Sequence, residues 1–202
     1  EPILSELRYT GVRKGRPLRT LFFARFFTNW AQDIRKIEMS QIDGYATTDL
    51  SDAYDGELHH LAPGYSDFGG RVRFHGPVKT LLTDNDNTKL RAAVEQAGEG
   101  RVLVVDGGGS MSCALFGGKL AQLAAQNGWA GIVIHGCVRD RAELAAENVG
   151  IKALASHPKK SQKNDGGTYD VALTFGGVTV QPGDWLYADE DGVLICAQAL
   201  SL

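Results

Sequence analysis

Cysteine is scarce in this 202-residue chain, with three thiols at Cys113, Cys137 and Cys196 and no C-x-x-C pair. An odd, unpaired set argues against a disulfide framework and for a reducing compartment, and their apolar neighbours suit buried thiols. Nothing approaches the run of about 18 apolar residues that a membrane-spanning helix needs, so no membrane partner is expected. The five histidines never fall in H-x-x-H or H-E-x-x-H spacing, and no Ser/His/Asp order stands out, which leaves zinc and triad chemistry unsupported. Positive charge is not in excess: 21 Lys and Arg against 24 Asp and Glu give a net charge of -3 and a pI near 6.0. That balance argues against a dedicated nucleic-acid binder. Phe-Gly-Gly occurs at 68–70 and again at 175–177, but no fixed period supports a repeat architecture.

What is present is enough apolar material, 43% of the residues, for one sizeable core. Charge divides the chain. Residues 1–40 hold eight Lys or Arg against four acids, which leaves thirteen against twenty, a formal -7, for 41–202. We therefore expect a basic N-terminal extension over 1–40 and one domain over 41–202. Leu21, Phe22, Phe23, Phe26 and Phe27 make the extension amphipathic as well as acid-poor, as in an organelle transit segment; the alternative is a docking helix over about 19–39. The expected location is intracellular: cytoplasmic, or organellar if the basic segment is a transit peptide.

Hydrophobic periodicity predicts an α/β fold. Thr47 to Ala53 reads as a short helix with acids in its first turn. Strands are expected over 71–74 and 77–82, a helix from Asn87 to Ala97, a buried strand over 101–105 and another over 130–135. The spacing of Ala and Leu predicts a helix over 111–126, closed by Asn127-Gly128. Beyond Glu143 come five short strands, over 152–155, 171–174, 178–180, 185–188 and 193–196, with turns at 182–184 and 191–192. The segment 157–167, with three lysines, is the one long loop.

Two turns within Arg101 to Glu143 organise the chain: Asp106-Gly-Gly-Gly-Ser110 and Gly136-Cys-Val-Arg-Asp140. Each follows an apolar run and precedes a helical pattern, and ligands of open α/β sheets bind at the carboxyl ends of strands. The first turn fails the dinucleotide fingerprint, since Ser112 stands where the third glycine belongs. It fails the phosphate-loop pattern too, since Leu120 follows Gly118-Lys119. A methyltransferase-like glycine loop, or a plain strand-to-helix turn, remains open. In the second, Asp140 and Glu143 have capping-box spacing. The functional alternative is a carboxylate for a hard cation beside a guanidinium for a substrate carboxylate. Asp189-Glu190-Asp191 is a further acidic cluster, where a hairpin turn is expected, and His135 lies at a strand end beside the second turn.

Five blocks in order, Val104-Val-Asp-Gly-Gly-Gly-Ser110, Asn127-Gly-Trp-Ala-Gly131, Gly136-Cys-Val-Arg-Asp140, Phe175-Gly-Gly-Val-Thr179 and Pro182 through Gly192, closely resemble the RraA-like family. That family includes the regulator of ribonuclease activity A and the class II 4-hydroxy-4-methyl-2-oxoglutarate aldolases. The resemblance spans about Thr47 to Cys196. It implies a compact α/β sandwich of the phosphohistidine-like swivelling β/β/α type, usually a ring-shaped trimer and sometimes a pair of trimers, here with an N-terminal helical extension. Family aldolases carry an Asp, twenty intervening residues, then Arg-Asp; a variant replaces the first Asp by Gly and adds an acid three residues after the pair. Gly118, Arg139-Asp140 and Glu143 match the variant.

The resemblance implies cleavage of a 4-hydroxy-2-oxo acid to pyruvate. The electrons would be held as an enolate by Mg²⁺ or Mn²⁺ acting as a Lewis acid, with oxaloacetate decarboxylation as a side activity. Asp140 would anchor the metal. Arg139 and the amides around Gly117, Gly118, Lys119 and Leu120 would hold the pyruvate carboxylate and enolate oxygen, and Glu143 would orient a metal-bound water or relay a proton. The rival reading is a ring that binds and inhibits a ribonuclease or RNA helicase without chemistry and without touching nucleic acid.

Overall fold

A computed structural model describes residues 46–200. The basic extension expected over 1–40 lies outside them. Four short helices and eleven strands follow one another: α1 (Thr47–Ala53), β1 (His59–His60), β2 (Ser66–Asp67), β3 (Phe74–Leu82), α2 (Thr88–Val94), β4 (Val102–Phe116), α3 (Gly118–Gln126), β5 (Gly131–Val138), α4 (Arg141–Ala146) and β6 (Gly150–Ser156). Then come β7 (Thr168–Tyr169), β8 (Leu173–Phe175), β9 (Val178–Val180), β10 (Trp185–Ala188) and β11 (Val193–Cys196). Among the described residues, no helix is long and apolar enough to cross a membrane.

The strands run β1-β11-β10-β3-β4-β5-β6-β2 across one sheet, with β7 attached to β3, while β8 and β9 form a separate hairpin. β3, β4, β5 and β6 are parallel; β10, β11 and β1 continue antiparallel. β3 joins the two regimes. Its first half pairs with β10 and its second half, from Val78, with β4. The changeover falls between Pro77 and Val78, just past the expected break, so the two strands expected from the sequence are one strand that changes partner.

Side chains alternate along a strand, so the apolar run of β4 feeds two cores. Leu103 and Val105 join Leu90, Leu120, Ile132 and Ile134 on the helical side. Val102 and Val104 join Val133, Leu173, Val180, Leu186 and Ile195 on the other, so the β8–β9 hairpin and the antiparallel strands cover that face. A parallel sheet buried on both faces needs such unbroken apolar strands. Gly131 and Gly150, paired across β5 and β6, lie under the Phe74 ring; a Cβ there would come within 2.2 and 2.0 Å of it. Lys152, 1% exposed, meets the part-exposed Asp67 at 2.9 Å directly across the β2–β6 register.

The expected helix over 111–126 is corrected. β4 continues to Phe116 through three register shifts against β5, and only Gly118–Gln126 is helical. Residues 113–116 are buried beside β5, so burial and strand pairing prevail over helical spacing in Met-Ser-Cys-Ala-Leu-Phe. Asp106-Gly-Gly-Gly-Ser110 is therefore an irregular stretch inside a strand, not a strand-to-helix turn. The helix expected to Ala97 stops at Val94. All three cysteines are buried, and burial pushes the Cys196 thiol up to about 11.

Candidate functional site

Phe116 of β4 pairs with Val138 of β5 in parallel register, so both strands end together and their chains leave the sheet side by side. The Arg139 amide donates to the Phe116 carbonyl at 2.9 Å and fixes that exit. α3 starts at Gly118 and α4 at Arg141, which puts two helix beginnings at the carboxyl ends of adjacent parallel strands.

Asp140 is the telling residue. It precedes α4 with φ 60 and ψ 46, left-handed for a non-glycine residue, and its side chain makes no capping hydrogen bond. Instead its Oδ2 accepts the Gly118 amide of α3 at 3.2 Å and lies 3.4 Å from Arg139 Nε. The capping-box reading is corrected. Sparsely populated backbone of this kind persists where the surrounding structure imposes it, and it turns this carboxylate away from its own helix. Glu143, in the first turn of α4, reaches the same spot. A Cβ on Gly118 would lie 1.8 Å from Glu143 Oε2, so the carboxylate occupies the room that a side chain at 118 would need. A Cβ on Gly117 would come within 2.6 Å of Asp140 Oδ2. Two carboxylates thus converge on Gly117-Gly118.

These groups border a cleft of about 820 Å³ lined by Gly117, Lys119, Leu120, Arg139, Asp140 and Glu143, with Gly118 beneath the two acids. Every residue expected of the site is gathered there. The Leu120 amide already donates to the Gly117 carbonyl at 2.9 Å and the Gly118 amide to Asp140, which leaves the first-turn amide of Lys119 without an intrahelical acceptor. Asn87, Arg91, the end of β4 from Ala114 to Phe116, and Lys159 to Lys163 complete the lining. Sequence reasoning missed them, although the lysine-bearing loop was its one unexplained long segment.

The other candidates go elsewhere. Asp189 is 1% exposed and takes hydrogen bonds from the Thr47 amide and hydroxyl, both at 2.6 Å, and from the Asp191 amide at 3.0 Å. Burial opposes its ionisation, but these donors and the Gly192 amide outweigh burial and hold its carboxyl below the usual range. It ties α1 to the β10–β11 turn. His135 stacks on Phe175 with ring centroids 4.7 Å apart, and its Nδ1 meets Tyr65 Oη at 2.8 Å, so it belongs to packing beside the glycine run.

The sequence of this chain matches the model of the RraA-like family, described as Aldolase/RraA, over residues 47–195. The chain belongs to the RraA-like family. A relative from Alkalilimnicola ehrlichii, named "Putative 4-hydroxy-4-methyl-2-oxoglutarate aldolase", is 58% identical over 154 residues, which are 76% of this chain and 96% of that protein. The solved structure of the RNA-processing inhibitor RraA from Thermus thermophilis is 50% identical with a TM-score of 0.75, over 78% of this chain and 95% of that one. A Geobacillus kaustophilus structure described as an S-adenosylmethionine:2-dimethylmenaquinone methyltransferase is 44% identical with a TM-score of 0.76, over 77% and 97%. The RraA-like fold over the described residues is thus established.

No group of three or more His, Cys, Asp or Glu poised around a metal occurs among the described residues. Asp140 and Glu143 nevertheless fit a hard divalent cation of the Mg²⁺ kind, which takes one or two carboxylates and completes its shell with water and substrate oxygens.

Proposed function

We propose that this RraA-like chain is a divalent-metal-dependent lyase that splits 4-hydroxy-4-methyl-2-oxoglutarate-type 2-oxo acids to pyruvate and decarboxylates oxaloacetate as a side activity. One observation carries the reading: Asp140 is held left-handed, leaves its own helix uncapped, and aims its carboxylate with that of Glu143 at the Gly117-Gly118 corner beside Arg139. A cap for α4 would not need that geometry.

When bound, Mg²⁺ or Mn²⁺ would draw electrons from the 2-oxo group and so favour the enolate that carbon–carbon cleavage leaves behind. Asp140 is the residue that would hold it. Arg139 offers a planar guanidinium to the pyruvate carboxylate, and the Lys119 amide a donor to the developing oxyanion. Glu143 would take the proton of the 4-hydroxyl, directly or through one water, and later return one to the pyruvate carbon. A trimer or a pair of trimers completes the proposal.

The test is pyruvate release from 4-hydroxy-4-methyl-2-oxoglutarate and from oxaloacetate. Activity that EDTA abolishes and Mg²⁺ or Mn²⁺ restores is expected; turnover indifferent to chelation would overturn the metal. The second reading, a regulator of a ribonuclease or helicase, is favoured by the likeness to the RNA-processing inhibitor RraA from Thermus thermophilis. It predicts no metal-dependent binding of oxalate, a planar copy of the pyruvate enolate, at millimolar concentration. The methyltransferase description of the Geobacillus structure finds no support here, because Gly107–Gly109 lie within β4 and not ahead of a helix.

A further inference from the structure

The proposed pyruvate site uses only one end of its cleft. A volume of about 820 Å³ is within the range that holds drug-sized ligands, far more than a three-carbon acid fills. Its lining is also opposite in sign to the domain around it. Arg91, Lys119, Arg139, Lys159, Lys160 and Lys163 face only Asp140 and Glu143, a formal +4 inside a body of formal -7. Arg91 is paired with Glu95 at 2.8 Å and Arg139 with Asp140 at 3.4 Å. Among the described residues, Lys119 and the three lysines of the 157–167 loop have no ion pair.

That loop is held along its length. The Ala114 amide donates to the Lys159 carbonyl at 2.8 Å, and the Ser161 amide to the Ala114 carbonyl at 3.1 Å. The Gln162 amide donates to the Asn85 carbonyl at 2.8 Å. Asp86, 3% exposed, then accepts the amides of Asn164 and Gly166 on one oxygen while its other takes Thr88 N at 2.7 Å. Burial opposes ionisation of Asp86, but these donors outweigh it, so its carboxyl stays below the usual range and the anchor is charged at neutral pH. At the far end Lys89 Nζ donates to the Gly167 carbonyl at 2.7 Å. A solvated surface loop needs no buried carboxylate to pin it. This one is a fixed wall, stitched to the strand that ends at Phe116.

We propose that Lys159, Lys160 and Lys163 form a specificity subsite for a carboxylate on the distal half of the 2-oxo acid, selecting diacids over monoacids of equal length. The inference rests on the lyase reading above, which requires that the distal half stay in the cleft until the bond breaks. Ammonium groups on flexible stems suit an anion whose position shifts with substrate length. Each exposed pairing is weak by itself, so together the three lysines should give a preference on the order of tenfold.

The test compares 2-oxoglutarate with 2-oxopentanoate, the same chain without the second carboxylate, by calorimetry in Mg²⁺ on the full chain, with oxalate as a probe of the pyruvate end alone. Expected is about tenfold tighter binding of 2-oxoglutarate, lost in K159Q/K160Q/K163Q, with oxalate affinity within about twofold in both proteins. Equal affinities in the unsubstituted chain, or a preference that survives the triple substitution, overturn the subsite while oxalate binding keeps the pyruvate end. Oxalate failing to bind at all sinks the lyase reading and the subsite together. Inorganic phosphate binding that the substitutions abolish, without a diacid preference, would overturn the proposal in favour of a free-phosphate site.

Discussion

Asp140 and Asp189 both follow the end of a buried strand, and each has further acids nearby in sequence. Their surroundings are opposite. Asp189 is enclosed and satisfied by the amide and hydroxyl of Thr47 and by the turn amides after it. Asp140 is exposed and left-handed, with one long hydrogen bond from Gly118 and an exposed ion pair with Arg139 at 3.4 Å, so most of its hydrogen-bonding capacity is left for something outside the chain. A carboxylate surrounded by its own protein's donors is part of the fold; one that the fold aims into a cleft and leaves undersatisfied is available for chemistry.

Exchanging the two aspartates' fates is the strongest way to break that comparison. Asp140→Ala should lower metal-dependent pyruvate release about a thousandfold, the several kcal/mol that a Lewis acid supplies to the transition state. Thermal stability should fall by only about 1 kcal/mol, because the lost contact is one long hydrogen bond to Gly118 and alanine is slightly less at ease than aspartate in left-handed backbone. Retained turnover would move the metal elsewhere.

Glu143 sharpens the contrast at the same corner. Glu143→Gln should cost about 10² in kcat, whereas a purely capping role would cost about 1 kcal/mol of stability and no rate. Gly118→Asp alone should be poorly tolerated, since its Cβ would meet Glu143 Oε2. Adding Glu143→Gly vacates that room, since it also removes the Glu143 Cβ 2.6 Å away, and the double variant should recover more activity than Glu143→Gly alone. Failure to do so would mean that the two acids are not spatial equivalents.

Asp189→Asn gives the smallest expected effect, and on stability alone: about 2 kcal/mol at neutral pH for hydrogen bonds to a charged acceptor. The sign with pH follows from its depressed carboxyl. Its contribution is present above about pH 4, the unfolded value, and is lost as pH falls through the lower folded value. Urea unfolding across pH 2 to 7 should therefore show the two proteins converging in acid. A constant gap would deny the carboxylate its role in holding Thr47.

Much of the fold was legible because strand burial writes itself into composition. Val102 to Val105 and Ile132 to Ile134 are apolar on both faces, which only a covered parallel sheet demands. The strands at 178–180, 185–188 and 193–196 fell at their expected positions because turn residues bracket them. The segment over 111–116 did not. Its residues suit either period, and the choice was made by pairing with β5, which is remote information.

By itself the sequence determined the class of fold, the family and the short list Gly117 to Leu120, Arg139, Asp140 and Glu143, since these depend on local pattern and on motifs at fixed spacing. Only the tertiary structure decided which acids are structural and which face a cleft. Asp140, Asp189 and Asp86 are alike in sequence and differ in the donors that distant segments bring to them. It alone also laid the lysine loop along β4 and so made a cationic wall from residues that are 68 positions from Arg91 and more. Charge, burial and hydrogen-bond satisfaction are properties of assembled neighbours, and neighbours across a sheet carry no signature in the chain order that joins them.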